Sequence, residues 1–258
     1  MNDKVFAVIG DIHNDTDKTD KILDFIENKY GKIPTIFVGD YFDNFYDTPR
    51  DAERVAIWLK NSLTQSNRIH LWGNHDLSYY PFSNPMSKGV AFCPGFSVPK
   101  DRVINQILSK KDWDQLKFFT KVDDYWISHA GITEYWFRGT MDEELGVDPN
   151  LEFKLNTKIH TAFSFLKEAS TFPSCLMSVD TLRGGRYEKG GLLWNDWSNL
   201  THIPNMNQIV GHTPSRKILI NRNEPKNSIH INVDSQLNEF LIIDNKIPKI
   251  FWSPSEEY

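Results

Sequence analysis

The chain has 258 residues and a mass of 30.0 kDa, with 40% hydrophobic and 13% aromatic residues, enough for a sizeable core and against intrinsic disorder. A formal charge of −5 and a pI near 5.9 give no basic footprint for a nucleic-acid backbone, so nucleic acid is not an expected partner. Only Cys93 and Cys175 are present, in no Cys-x-x-Cys pair, which argues against a disulfide framework or thiolate zinc site and fits a reducing cytoplasm.

The N-terminal apolar run is too short for a signal peptide, and no stretch reaches the ~20 apolar residues of a membrane span. A soluble cytoplasmic protein with no membrane partner is expected, built as one domain over residues 1–258 with insertions.

In chain order, Val5 to Ile9 reads as a buried strand ending at Gly10. A helix follows, with Ile22, Leu23, Ile26 and Tyr30 on one face before Gly31. Thr35 to Val38 repeats the strand, the loop from Gly39 leads to a helix opening near Pro49, and Arg68 to Trp72 supplies a third strand. Strands alternating with helices imply βαβ units and a largely parallel sheet whose loops collect at one rim.

Ser78 to Pro99 reads as an irregular excursion beside that rim, a place to recognise substrate. Helical spacing returns with Val103, Ile104, Ile107 and Leu108, and Trp113, Leu116 and Phe119 extend it after a break. Tyr125 to Ile127 is a strand leading into Ser128-His129-Ala130-Gly131. The acidic group Asp142, Glu143 and Glu144 reads as a solvated face, followed by a helix carrying Phe153, Leu155, Ile159, Phe163 and Leu166.

Arg183 to Gly191 is glycine-rich without the spacing of a nucleotide-binding fingerprint, and reads as a mobile loop presenting arginines. Short strands then follow at Gln208–Val210, Lys217–Ile220, Ile229–Val233 and Phe240–Ile243, with turns at Asn221–Pro225 and Asp244–Lys246. The expected architecture is mixed α/β, two stacked sheets with helices outside.

Five segments follow apolar runs and break into glycine plus Asp, Asn or His. They are Gly10-Asp11-Ile12-His13, Gly39-Asp40-Tyr41-Phe42-Asp43, Gly73-Asn74-His75-Asp76, His129-Ala130-Gly131 and Gly211-His212-Thr213-Pro214. Carboxylates, neutral imidazoles and a bridging group are what a pair of transition-metal ions requires. Asp11 and His13 can face one ion, Asp40 can bridge to a second, and Asn74, His129 and His212 can complete it. Such a pair grips a phosphoryl group and generates hydroxide near neutral pH. His75, next to Asn74, is read as a proton donor rather than a ligand, since a leaving alkoxide needs protonation and histidine titrates nearest neutrality.

This ordered series resembles the calcineurin-like metallophosphoesterase superfamily across nearly the whole chain. The resemblance implies a four-layer αββα sandwich with a dinuclear metal site at one rim. Asp11 and His13 would serve the first metal, Asp40 would bridge, and Asn74, His129 and His212 would serve the second; His75, oriented by Asp43, would protonate the leaving group. Gly-His-Thr-Pro with Gly191-Leu-Leu-Trp-Asn-Asp196 is similar to bacterial and phage protein phosphatases and diadenosine tetraphosphate hydrolases.

Three departures matter. Asn44-Phe45 stands where the protein phosphatases carry Arg-Gly after the second Asp, Asp76 stands where many have Glu, and Pro214 replaces the second histidine of Gly-His-x-His. The phosphate grip is therefore sought in Arg183 and Arg186. Asp234 is a candidate support behind the site, whereas His70, His160, His202 and His230 read as packed or surface residues.

The expected activity is hydrolysis of a phosphomonoester, on protein or small molecule, by attack of a metal-bound hydroxide. The cofactors are two divalent ions, manganese first, with iron, zinc or nickel as alternatives. Hydrolysis of a diadenosine polyphosphate or nucleotide phosphoanhydride is the rival enzymatic reading, in which Tyr79, Tyr80 and Phe82 would stack a base. A non-catalytic scaffold of the same fold is the rival of another class.

Overall fold

Side-chain alternation along the strands decides the layering. The computed structural model describes residues 5–83, 87, 91–141, 150–169 and 174–254. In β1 (Val5–Ile9), Phe6 and Val8 face one way and Ala7 and Ile9 the other, as strand geometry requires. Phe6 and Val8 meet Ile36, Val38, Tyr125, Ile127, Ile209 and Ile231 in an apolar layer between two sheets. Ala7 and Ile9 belong instead to the larger core that includes Ile22 and Ile26 of α1 (Thr16–Tyr30) and Val55 and Leu59 of α2 (Pro49–Ser62).

The first sheet has the order β10 (Ile247–Trp252), β9 (Glu239–Asp244), β1, β2 (Thr35–Phe37), β3 (Arg68–His70). The second has the order β4 (Phe119–Val122), β5 (Tyr125–Ser128), β6 (Asn207–Val210), β8 (Ser228–Asn232), β7 (Leu219–Asn223). In each sheet three strands are parallel, β1-β2-β3 and β5-β6-β8, and antiparallel strands complete the set. The arrangement is the expected αββα sandwich, and the loops leaving the parallel strands meet at one rim.

The helices start where local chemistry places them. Thr48 and Asp51 form a reciprocal capping box ahead of Pro49, and Asp15 caps α1 through the Lys18 amide. The short helix α3 (Asn74–Leu77) carries Asp76, fully buried, whose carboxylate accepts the amides of Asp40, Tyr41 and Gly73 at 2.8, 2.8 and 2.9 Å. One carboxylate thus ties the loops after β2 and β3 together.

Several elements depart from the reading of the sequence. Phe119 does not extend a helix. Helix α4 (Val98–Ile107) and the turn α5 (Lys110–Trp113) end before it, and Phe119 opens β4, paired with Ser128 of β5. Strand β7 runs through Asn221 to Asn223, moving the turn toward Asn227, because a solvated edge strand carries no apolar alternation to mark it. Strand β10 follows β9 through a tight hairpin with Asn245 and Lys246 at φ 50° and 68°. Phe153, at the start of a helix spanning Leu151–Ala169, is 75% exposed rather than in the core. The acidic group at 142–144 lies outside the described residues.

The glycine-rich segment is pinned rather than loose. Backbone bonds join Thr181 to Tyr187, Gly185 to Asp180 and Gly191 to Ser178, and a Cβ on Gly185 would sit 2.0 Å from the Val179 carbonyl oxygen. Gly185 and Gly190 serve close approach, and Gly184 takes a left-handed φ of 81°. Among the described residues, no helix is long and apolar enough to cross a membrane.

Two outcomes follow for stability. Replacing Asp76 with Ala frees three buried amides, each costing ~1–3 kcal/mol when unsatisfied, so urea unfolding is expected to show a loss of roughly 3–9 kcal/mol; a loss below ~1 kcal/mol would mean the loops hold without it. His70 stacks on Phe37 at 4.6 Å and bonds Ser62 and Tyr41, and burial, helped by Arg68, lowers its pKa to about 3. It folds neutral, so its contribution is complete above the unfolded value near 6.5 and is lost as pH falls toward 3. His70→Gln is expected to be less stable at pH 7, with the gap to wild type narrowing by about 2 kcal/mol at pH 5; an unchanged gap would refute neutral burial.

Candidate functional site

Three of the five ligand-type loops leave their strands with residues in the left-handed region: His13 at φ 42°, Asp40 at 52° and Asp43 at 68° on one loop, and His212 at 68°. Such backbone costs ~1–3 kcal/mol per residue and persists only where surroundings over-determine it. The surroundings here are tight. A Cβ on Gly73 would lie 2.0 Å from Asp40 Oδ1, and one on Gly211 would lie 2.1 Å from Asp11 Oδ1. At Gly73 and Gly211 the missing side chain is therefore the space a carboxylate occupies, whereas Gly10 and Gly39 make room for the backbone of Val233 and Gly73.

All six sequence-derived candidates come together at this rim. Asp11, His13 and Asp40 place one donor atom each within 4.8 Å of one another, and Asp40, His129 and His212 do the same. Asp40 belongs to both groups. Its Oδ2 is 3.4 Å from His129 Nε2 and 3.9 Å from His13 Nε2. Asn74 Oδ1 lies 2.8 Å from the same His129 nitrogen, and His212 Nδ1 lies 3.2 Å from it.

Hydrogen bonds behind the rings fix which nitrogen faces inward. His129 Nδ1 donates to the Val38 carbonyl at 2.9 Å, and His13 Nδ1 donates to the Asp43 carbonyl at 2.7 Å, leaving Nε2 of each toward Asp40. This is how partners behind metal-bound histidines set the tautomer. His129 Nε2 then confronts an amide oxygen, a carboxylate oxygen and another imidazole nitrogen, a gathering of lone pairs that calls for positive charge.

Other observations say the same. His212 Nε2 is buried without a hydrogen-bond partner. Burial, then Asp234 and Asp40, raise the Asp11 carboxyl well above its usual range. Burial would raise Asp40 too, but the imidazoles of His129 and His75 outweigh it and hold Asp40 well below. Burial and the His129 charge push His212 well below the usual imidazole range. These donors fit divalent cations of oxygen and nitrogen preference, with Asp40 able to touch two.

His75 stands beside this centre. Its amide donates to Asp40 Oδ1 at 3.0 Å and its Nδ1 pairs with Asp43 Oδ2 at 3.0 Å. Burial would lower its pKa, but Asp40 and Asp43 prevail and raise it well above the usual value. The other oxygen of Asp43 accepts Tyr79 Oη at 2.5 Å and Lys100 Nζ at 2.6 Å, and Lys100 also reaches Asp47 at 2.9 and 3.0 Å.

Sequence reasoning missed Lys100, Asp47 and Cys93. Lys100 is only 4% exposed and lies four residues before Ile104 on the buried face of α4. A lysine in register with an apolar stripe was the available signal, since a buried charge needs a partner. Cys93 Sγ accepts the Asn74 amide at 3.1 Å, and nothing in the sequence marks it.

A cavity of about 720 Å³ opens over the centre, with Phe45, Arg183, Pro214 and Asp234 among its walls. Arg183 donates to the His212 carbonyl at 2.9 Å and approaches Asp196 at 3.9 Å. Arg186 is exposed and does not line the cavity. Tyr79 and Tyr80 cannot stack a base, being 0% and 1% exposed, with Tyr79 holding Asp43 and Tyr80 packed on Trp72 and Phe163. Phe82 packs partly buried against the same core, at 4.8 Å from Tyr80. His70, His202 and His230 are buried away from the cavity, as packed residues.

Comparison with known proteins bears on the fold. The chain shares 16% identity with a cold-active protein tyrosine phosphatase, covering 96% of this chain and 78% of that one at a TM-score of 0.51. It shares 11% identity with a hypothetical protein of Pyrococcus horikoshii, covering 98% and 89% at a TM-score of 0.51. A putative diadenosine tetraphosphatase is similar at 15% identity, covering 97% and 94% at a TM-score of 0.46. At these identities the likeness is one of fold. No curated protein sequence matches the chain closely enough to count as a relative. Residues 4–216 match the family described as calcineurin-like phosphoesterase, and the chain belongs to that family.

Proposed function

We propose that the chain is a two-metal phosphomonoesterase that hydrolyses its substrate directly, without a phosphorylated enzyme. The observation that carries this reading is Asp40, shared by two donor groups, with the His75–Asp43 pair alongside. Asp11, His13 and Asp40 would hold one ion, and Asp40, Asn74, His129 and His212 the other. Two divalent cations bound there would neutralise phosphate charge and lower the pKa of a water molecule. Manganese suits the donor set, with iron, zinc and nickel as competitors for it.

The chain's own part is proton management and orientation. With Nδ1 committed to Asp43, His75 holds its transferable proton at Nε2 and delivers it to the departing oxygen. Lys100 and Tyr79 keep the Asp43 carboxylate from turning away. Arg183 presents the remaining face of its guanidinium to a phosphate oxygen from the cavity wall. Among the described residues that line the cavity there is no Ser, Thr or Cys to act as a nucleophile.

Charge favours a monoester over a polyphosphate. The described lining carries Asp11, Asp15, Asp40, Asp43 and Asp234 against Arg183 as its only lysine or arginine. Two divalent ions would bring this lining near neutrality, with little surplus for a chain of four phosphates.

Metal-stripped protein reloaded with manganese, iron, zinc or nickel and offered p-nitrophenyl phosphate, a phosphopeptide and diadenosine tetraphosphate is expected to turn over the monoesters and to be idle without metal. Preferred cleavage of the dinucleotide would transfer the reading to phosphoanhydride hydrolysis, and idleness on all three would make the protein a scaffold. His75→Asn is expected to lower kcat on an alkyl phosphate by ~10²–10⁴ and on p-nitrophenyl phosphate by less than ~10-fold, because a good leaving group needs no proton. Equal losses on both esters would remove the acid assignment.

A further inference from the structure

A carboxamide has two ends of the same shape and opposite chemistry. Its oxygen can ligate a cation; its nitrogen, with the lone pair delocalised and two hydrogens attached, cannot. Asn74 Oδ1 points to His129, and hence to the place where Asp40 and His212 also converge. Something must hold it that way round.

Cys93 does so from behind. The thiol is 0% exposed, on the segment that returns to the rim just before Pro94 and Gly95, which line the cavity. Its sulfur is 3.1 Å from Asn74 Nδ2, the end of the amide facing away from His129. Gly95, two residues on, packs against Asp43, where an added Cβ would be 2.9 Å from Asp43 Cγ. The segment carrying Cys93 is thereby fixed against the His75–Asp43 pair as well.

We propose that Cys93 is a positioning residue for the second cation: by accepting the Asn74 N–H it commits the amide oxygen to the metal side. This rests on the two-metal reading. The alternative is that Cys93 is a small apolar filler, as buried cysteines often are. The two differ in what serine can replace. Serine keeps an acceptor at that place, whereas alanine keeps only the packing.

The test is calorimetric titration of metal-stripped protein with manganese alone, for wild type, Cys93→Ala and Cys93→Ser. Wild type is expected to take up two ions per chain. In Cys93→Ala one of the two steps should weaken by ~10–100-fold, the range for losing a partner behind a ligand, with the other within ~3-fold. Cys93→Ser should recover the weakened step to within ~5-fold of wild type. Unchanged steps in Cys93→Ala, or equal weakening in the serine and alanine variants, would overturn the positioning role while leaving the two-metal site standing. Fewer than two ions on wild type would overturn both. Asn74→Asp makes the two ends of the side chain equivalent, and Cys93→Ala in that background should then cost less than ~3-fold; the same loss in both backgrounds would assign the effect to packing.

Discussion

The structure depends on one carboxylate. Asp40 reaches toward imidazoles carried by both sheets, His13 from the loop after β1 and His129 from the loop after β5, in a place that is 2% exposed. An ion buried without compensation would cost several kcal/mol, so the rim cannot close unless the imidazoles, and the cations they could share with it, arrive together. The two sheets are thus joined at their rim by electrostatics and farther in by an apolar layer. Asp76 plays the neutral-backbone counterpart, holding the Asp40 and Gly73 loops through three amides so that the strained backbone of Asp40 has no other course.

Much of this centre was legible in the sequence because its chemistry is local. A buried strand that stops at glycine and continues with Asp, Asn or His leaves a short-range mark, and five marks in sequence order define a rim if the strands are parallel. The run Val5 to Ile9 was legible as a buried strand, but which of its residues face the second sheet and which face the helices shows only in the structure. What failed was of another kind. Phe119 satisfies a helical spacing with Trp113 and Leu116, yet pairing with Ser128 decides its fate, and pairing is not written in the nearest neighbours. The polar edge of β7 and the outermost strand β10 lack a buried stripe altogether, so neither period announces them.

The supporting residues were illegible for a related reason. Tyr79 looked like a base-stacking aromatic because the segment around it is irregular and aromatic. Its hydroxyl on Asp43 shows that the ring is spent on filling and the oxygen on orientation. Gly185 and Gly190 looked like freedom and are instead clearance for a backbone that doubles back on itself, while Gly184 supplies a left-handed turn. Composition cannot separate those cases, since a glycine that permits motion and one that permits contact are the same residue.

The missing arginine after Asp43 becomes intelligible once Lys100 is seen. In the family pattern that the sequence resembles, one cation follows the orienting carboxylate directly in the chain. Here Asn44 and Phe45 take that place, and positive charge reaches Asp43 from α4 instead, shared with Asp47 and almost wholly withdrawn from solvent. A lysine in that position faces the two carboxylates and not the cavity, so it can hold Asp43 for His75 but cannot also grip substrate. Among the described residues, Arg183 is the lysine or arginine that lines the cavity, where it donates to the His212 carbonyl. The positive charge that pairs with Asp43 and the positive charge that lines the cavity are thus carried by two different side chains, Lys100 and Arg183.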